Sequence, residues 1–510
     1  MKFKKLALAV AAMSVGFAAQ AAGTVNIGGV AHNVVYLSGA TAPDNFLADI
    51  AEGMMTGLTY YSANNFKAFA GSANGLADAG IPDGTKILFI KRSAGGSVFG
   101  VNPVARAQRI KTIDVSSCTS GAGTKASPFT CAIVGVDPGE AGHAETTNTG
   151  LVADFGVSDV EPAMFQGPYN TENDTESLSA AEVARLSATP INQIMMGIVA
   201  TNNVPASTYL SRAAYGAMLS NQIQTWDLVD PSLEGDVVVC RRVEGSGTQT
   251  SYNWYFNNFP CSTGATEPAR MTDSYGWKES GSGTSGDPYI INPRAGYTVV
   301  ENSGSGDVRN CLKAANAGTD HTFSAWDPEE QKTNFFKVTF GPQGEEPAAP
   351  RKAIGVLSLD SYTSATAANG WSFRPIDGAG TYSYDSVAKT LNLSAGATGV
   401  APTKSNLIEG KYDFVVELSM QSRSVAVVNE QGDNVAPISG VQQAFSLEFI
   451  KRAGSPTFTG NFNNTGTKVS TPEAFASLPQ FWAGTDSSSL YVSKYTREAN
   501  TCKPLQYKGN

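Results

Sequence analysis

The sequence predicts an α/β protein, with a parallel or mixed sheet flanked by helices, and three observations lead there. Short β-branched runs alternate with segments whose apolar residues recur at helical spacing, and each run ends in a polar Gly/Ser/Thr turn. Hydrophobic residues make up 41% of the 510, enough for a large core and enough to exclude a disordered chain. Only 16% are charged, against roughly 25% in an average soluble domain, so Gly, Ser, Thr and Asn must cover much of the surface. At about 150 residues per domain, the length allows two or three domains.

The elements follow in order. Residues 34–37 predict a strand, the polar turn at 38–44 follows, and Phe46, Leu47, Ile50 and Met54 predict a helix over 45–55. Residues 86–91 predict a buried strand that feeds the turn 92–97, with a helix over 103–110. Residues 112–150 are rich in Gly, Ser and Thr and read as a surface excursion, after which the core pattern resumes at 152–159. A strand over 191–202, a helix over 211–226 and the strongest strand signal, 236–241, come next. That strand ends in Arg242-Val243-Glu244-Gly245-Ser246-Gly247-Thr248, ahead of an aromatic helix over 252–259. Residues 262–293 and 341–350 read as loop, and 353–359 and 412–420 as further strands. No internal repeat stands out.

The N-terminus indicates export. Lys2, Lys4 and Lys5, an apolar stretch over 6–18 and the triplet Ala19-Gln20-Ala21 form the pattern of a cleaved signal peptide over residues 1–21. The apolar run is shorter than the roughly 20 residues of a spanning helix. A soluble protein of the periplasm, or of the extracellular space, is expected, without membrane insertion after cleavage. The chain has 36 basic and 45 acidic residues, a net charge of −9; loss of the leader takes three lysines and leaves 33 against 45, or −12. Nucleic acid is thereby excluded as a bulk electrostatic partner, because a phosphate backbone needs a basic face.

In an oxidising compartment the six cysteines default to disulfides. Cys118 and Cys131 bracket a short Gly/Ser/Thr turn whose closure contributes about 3 kcal/mol. Cys240 and Cys261 bracket a strand-to-helix passage and are expected as a second pair. Spacing does not fix the connectivity of six cysteines. No CxxC spacing occurs and the chain has three histidines, so no metal is expected, nor a cofactor.

The chemistry gathers in turns at strand ends, where helix N-termini present unpaired amides. In Gly245-Ser246-Gly247-Thr248 the glycines let the backbone approach a small anion and the hydroxyls add neutral donors. Arg242 supplies a fork of donors suited to a tetrahedral oxyanion, and Glu244 is expected to hold that guanidinium. The same four letters recur at Gly281-Ser282-Gly283-Thr284, with no strand before them and no arginine beside them, and are read as solvent loop.

Six motifs in one order carry a resemblance: Ser38-Gly39-Ala40-Thr41-Ala42-Pro43, Ser93-Ala94-Gly95-Gly96, Asp154-Phe155-Gly156-Val157-Ser158-Asp159, Gln222-Ile223-Gln224-Thr225-Trp226, the Arg241 to Thr248 turn and Ala353-Ile354-Gly355-Val356. Over roughly residues 37–360 the chain resembles the periplasmic phosphate-binding protein of the phosphate ABC transporter, a type II periplasmic substrate-binding family. The resemblance implies two lobes, 22–194 with 411–510 and 195–410, joined at a hinge and carrying loop-rich insertions. Inorganic phosphate would bind in the cleft of a monomer that works with an inner-membrane ABC permease. It implies contacts from the Thr41 hydroxyl, the Ala42 amide, the Ser93 hydroxyl and amide, and the Asp159 carboxylate on one lobe. Arg242, Ser246, Gly247 and Thr248 contribute from the other, with Gly245 supporting.

Asp159 gives this set its selectivity. A carboxylate only accepts, so it favours an oxyanion that still carries a proton, such as hydrogen phosphate, and repels sulfate. Three departures from the family stand out. Ala42 occupies a place where an aromatic is common, Glu244 replaces a shorter acid, and the chain is about half again as long as the usual transporter component, through the cysteine-bearing segment near 112–150 and expansions between 260 and 350. An extracellular phosphate-scavenging or adhesive protein on the same fold is the second reading. A secreted phosphatase using Ser246 or Thr248 as nucleophile is the third, and no histidine lies near either in sequence. The expectation is therefore a binding protein without catalytic residues.

Overall fold

The structure is a computed structural model that describes residues 23–171, 176–459, 470–481 and 491–508. The expected leader at 1–21 lies outside these residues. Strand β1 (Val30–Gly39) turns into helix α1 (Asp44–Glu52), followed by the hairpin β2 (Met55–Ala63) and β3 (Phe66–Ala73). Then come β4 (Lys86–Arg92), β5 (Phe155–Ser158) and the long β6 (Leu186–Thr201). The next stretch holds α2 (Arg212–Leu219), β7 (Val238–Arg242), α3 (Gly247–Asn257), β8 (Thr298–Asn302), α4 (Ser305–Ala317) and β9 (Ala353–Ser358). The last large elements are β10 (Val415–Arg423) and α5 (Gly440–Gly454).

These strands form one mixed sheet in the order β8-β7-β9-β6-β10-β5-β1-β4-β3-β2. β1 runs parallel to β4 and β5, and β7 parallel to β8 and β9. Val34 to Leu37 and Val237 to Cys240 are buried without a break, as strands covered on both faces must be. β6 joins the two halves: its residues up to Met195 pair with β10, and those from Met196 with β9, both antiparallel. It accommodates Pro190, which has no N–H to give the ladder, at a register shift between Pro190 and Asn192. Helix α5 closes one face, where Phe449 meets Phe89 and Phe155 and Phe445 meets Phe89.

Several elements differ from the sequence reading. The helix expected over 103–110 is a single turn, Asn102–Arg106, which ends where Ala107 takes φ 54°, and Arg109–Ile110 is a short strand. The helix expected to 226 stops at Leu219, ahead of Asn221 at φ 59°, and Trp226 plugs the core from a separate turn. The helix expected over 252–259 starts earlier, at Gly247. Helix α4 and the hairpin His321–Asp327 with Lys332–Val338 lie in what had looked like an expansion.

A repeat is present after all. Ser120-Gly121-Ala122-Gly123-Thr124 with Pro128-Phe129 matches Ser280-Gly281-Ser282-Gly283-Thr284 with Pro288-Tyr289. Gly121 and Gly281 have φ 104° and 97°, and a Cβ on either would sit 2.1 Å from the carbonyl oxygen of Pro128 or Pro288. Each loop docks on a hairpin edge. The Gly123 carbonyl accepts from the Tyr60 amide at 3.0 Å, and the Gly283 carbonyl from the Phe335 amide at 2.9 Å. The second copy is therefore an ordered hairpin attachment, distinct from the turn at Gly245 to Thr248.

The Cys118–Cys131 bridge is present. The expected Cys240–Cys261 pair is not: Cys240 bonds Cys311, tying β7 to α4, and Cys261 bonds Cys502. Cys240 lies fully buried on the side of β7 that α4 covers, which places Cys311 and not Cys261 within reach. Replacing both Cys240 and Cys311 by serine is expected to cost about 2–4 kcal/mol, read as a lower urea midpoint.

Candidate functional site

At the C-terminal end of β7 the chain turns through Gly245 at φ 77° into α3. Ser246 caps that helix, its hydroxyl accepting from the Gln249 amide at 3.3 Å. The amides of Gly247 and Thr248 have no intrahelical acceptor, as at every helix start. Arg242 is fully buried and its guanidinium is held from several sides. Nε donates to the Asn302 carbonyl at 3.1 Å, Nη2 to the Ser303 carbonyl, and Nη1 to Thr41 Oγ1. Glu244, expected to hold this guanidinium, pairs with Arg270 at 3.0 Å.

From the other half of the sheet come the ends of β1, β4 and β5. Thr41 is buried, and its Oγ1 lies 2.9 Å from Ser305 Oγ at the start of α4. Ala42 is buried beside it, and its carbonyl accepts from Ser358 Oγ at 2.8 Å. Asp159 is 1% exposed. Its amide donates to Ser97 Oγ at 3.2 Å and its Oδ2 accepts from Thr248 Oγ1 at 2.9 Å. Oδ1 is buried without a hydrogen-bond partner among the described residues. Burial pushes the Asp159 carboxyl up to about 6, against the Thr248 hydrogen bond and the charges of Arg242 and Lys91.

Thr41, Ala42, Asp159, Arg242, Ser246, Gly247 and Thr248 thus converge. Ser93 is close by but differently engaged. Its amide, expected as a ligand donor, is taken by the Asn65 carbonyl at 2.8 Å, and its hydroxyl lies 2.7 Å from Asp44 Oδ2. Lys91 Nζ reaches Ser93 Oγ at 3.0 Å and the Ala40 carbonyl at 2.9 Å, so it fastens the end of β4 to the end of β1. Burial lowers the lysine's pKa, against the raising effect of Asp44.

Sequence reasoning missed Asp44, Lys91, Ser97, Asn302, Ser303, Ser305 and Asp360. The 302–307 stretch, Asn-Ser-Gly-Ser-Gly-Asp after a β-branched run, carried the same strand, turn and helix signature as the turns that were singled out. Asp360 accepts from the Asn45 amide at 2.9 Å and from Thr471, linking the end of β9 to the start of α1, and burial pushes its carboxyl up to about 7.

The two sets of loops touch closely. The Val98 amide donates to the Gly245 carbonyl at 2.9 Å. A Cβ on Gly247 would lie 2.3 Å from Ser97 Oγ and 2.9 Å from Asp159 Cβ. Gly247→Ala suits the helix and offends only the neighbours across the junction. It is expected to weaken ligand affinity at least about tenfold, measured by titration, and to lower the ligand-free melting temperature, since overpacking of this kind costs about 1–3 kcal/mol. Among the described residues no cluster of three or more His, Cys, Asp or Glu could hold a metal, and no helix is long and apolar enough to cross a membrane.

No family model and no curated protein matches the chain. Among solved structures it is similar to a high-affinity periplasmic phosphate-binding protein bound with phosphate, at 13% identity over 86% of this chain and 89% of that one, TM-score 0.38. A human phosphate-binding apolipoprotein matches at 12% identity over 86% and 90%, TM-score 0.36. PstS from Borrelia burgdorferi matches at 12% over 84% and 94%, TM-score 0.30.

Proposed function

We propose that this protein is an exported solute-binding protein that captures hydrogen phosphate between two lobes, 22–194 with 411–510 and 195–410. The change of partner along β6 between Met195 and Met196 supports this division. One observation carries the ligand assignment: a buried carboxylate oxygen, Asp159 Oδ1, lacks a partner among the described residues at a site that also holds the Arg242 guanidinium and the Thr41 hydroxyl. A dianion draws in Arg242, the Thr41 hydroxyl and the amides at the start of α3, because a buried charge without partners costs several kcal/mol. Only an oxyanion with its own proton also satisfies Asp159. In this reading the Ala42 amide faces the ligand, and Ser93 braces the wall through Asp44 instead of touching it.

Delivery of the ligand to an inner-membrane ABC permease is the partner relationship that such a cradle serves. An extracellular scavenger on the same fold would use the same contacts. We read a binding protein and not a hydrolase because the buried Asp159 oxygen without a partner among the described residues suits holding a protonated oxyanion; the Thr248 hydroxyl, which donates to Asp159, is the group through which a hydrolase would act. The test is thermal unfolding with phosphate. Ligand at about 1,000 times its dissociation constant is expected to add about 4 kcal/mol of stability, while sulfate at the same concentration adds nothing. Release of p-nitrophenol from its phosphate ester would favour the hydrolase.

A further inference from the structure

Helix α3 buries two side-chain amides, Gln249 and Asn253, one helical turn apart on the same face, and buried amides need partners. Theirs form a chain. The Arg242 backbone amide donates to Gln249 Oε1 at 3.2 Å and Gln249 Nε2 donates to Asn253 Oδ1 at 2.9 Å. Asn253 Nδ2 donates to Asn170 Oδ1 at 2.9 Å, and Asn170 Nδ2 to the Met164 carbonyl at 2.9 Å. A backbone amide only donates and a carbonyl only accepts, so the two ends of the chain fix the orientation of all three side-chain amides. Each of the three residues is at most 2% exposed, so water does not stand in for a lost member.

We propose that Asn170 and Asn253 are positioning residues that hold the Arg242 to Thr248 turn shut from the opposite lobe, an inference that rests on the two-lobed phosphate reading above. Asn170 belongs to 22–194 and Asn253 to 195–410, so their hydrogen bond crosses between the lobes without touching the ligand. Through Gln249 it reaches the Arg242 amide, and the Gln249 amide donates to Ser246 Oγ at 3.3 Å, so both ends of the turn are tied to it. The segment that carries Asn170 is seated on the second lobe by more than this bond. Tyr169 meets Phe259 edge-on, its hydroxyl donates to Glu267 at 2.6 Å, and the Arg270 guanidinium that pairs with Glu244 lies 4.5 Å from its ring centroid. The Cys261–Cys502 bond closes the same seam, with Cys502 Sγ 3.7 Å from Met164 Sδ.

A bond made only while the lobes meet favours the closed form over the open one, so its loss appears as faster escape of the ligand. Without Asn170, Asn253 Nδ2 keeps only the Tyr169 carbonyl at 3.5 Å, too far to replace a bond of 2.9 Å. Without Asn253, both Gln249 Nε2 and Asn170 Oδ1 lose the partner they share. All three side chains are neutral, so the effect does not depend on the titration of Asp159 or of the ligand.

The experiment follows release of radiolabelled inorganic phosphate from the full mature chain into excess unlabelled phosphate, with uptake rates measured alongside. Asn170→Ala and Asn253→Ala are each expected to release phosphate about tenfold faster than wild type, with uptake changed less than about threefold. Because the two side chains act through one bond, the double variant is expected to match the faster single variant and not to multiply the two effects. Asn170→Ser keeps a hydroxyl for the Met164 carbonyl but is too short to reach Asn253, and is expected to show the same fast release. Melting temperatures above the assay temperature establish that the variants fold. A lowered melting temperature with wild-type release, or effects that multiply in the double variant, would overturn the inference and leave the phosphate site standing. Wild type that takes up no phosphate would overturn the site reading, and the inference with it.

Discussion

Arg242→Ala is expected to lose about 2–5 kcal/mol of phosphate affinity, which is roughly thirtyfold to several thousandfold in the dissociation constant. The magnitude follows from where the guanidinium sits. It is fully buried, its direction is set by the Asn302 and Ser303 carbonyls, and it reaches Thr41 from the opposite set of loops. Truncation removes the ligand's main countercharge and takes a donor from the Asn302 and Ser303 carbonyls and from the Thr41 hydroxyl. Arg242→Lys separates charge from geometry: a lysine keeps the charge and cannot reproduce a fork of donors, so it is expected to recover only part of the loss. Titration of the three proteins with phosphate decides this, and wild-type affinity in the alanine variant would remove Arg242 from the site.

The second large effect is on selectivity. Asp159→Asn replaces an acceptor by a group that can donate, so sulfate, rejected by the carboxylate, becomes acceptable. Phosphate binding is expected to weaken about tenfold or more and sulfate to bind at a comparable level, so that discrimination collapses. The same substitution carries a pH signature. The Asp159 carboxyl is held at about 6, above its ordinary value, so the closed protein takes up a proton relative to the unfolded chain. Its ionised form therefore works against the closed state above about pH 6, and the penalty fades as pH falls towards 4. Ligand-free Asp159→Asn is expected to melt higher than wild type near pH 8, with a gap that narrows on acidification. A gap that widens on acidification would contradict the cause assigned to the shift.

Much of the site was legible because its chemistry is local. A β-branched strand, a Gly/Ser/Thr turn and a helix start are written in consecutive residues, as at Arg242 to Thr248, and the anion chemistry of such a turn follows from backbone geometry. What depends on three dimensions was not legible. Glu244 is two residues from Arg242, and its pairing with Arg270 is not written in the local sequence. Cys240 is closer in sequence to Cys261 than to Cys311, but α4 packs across β7 and sets the pairing. The Ser93 amide looked available because nothing local takes it, and its acceptor, the Asn65 carbonyl, comes from the tip of the β2–β3 hairpin. Ser305 was hidden differently: its strand, turn and helix signature was present but lay inside a stretch read as expansion. The paired Ser-Gly-x-Gly-Thr loops escaped notice because their shared text is ten residues long and its meaning, a strained glycine against a proline carbonyl, is conformational.

The most direct measurement is side-by-side calorimetric titration of the wild-type protein with phosphate and with sulfate at neutral pH. Saturable one-to-one uptake of phosphate at micromolar concentration or below, with no heat from sulfate, is the predicted result. Equal affinity for the two anions would contradict the role given to Asp159, and silence towards both would contradict the account at its centre.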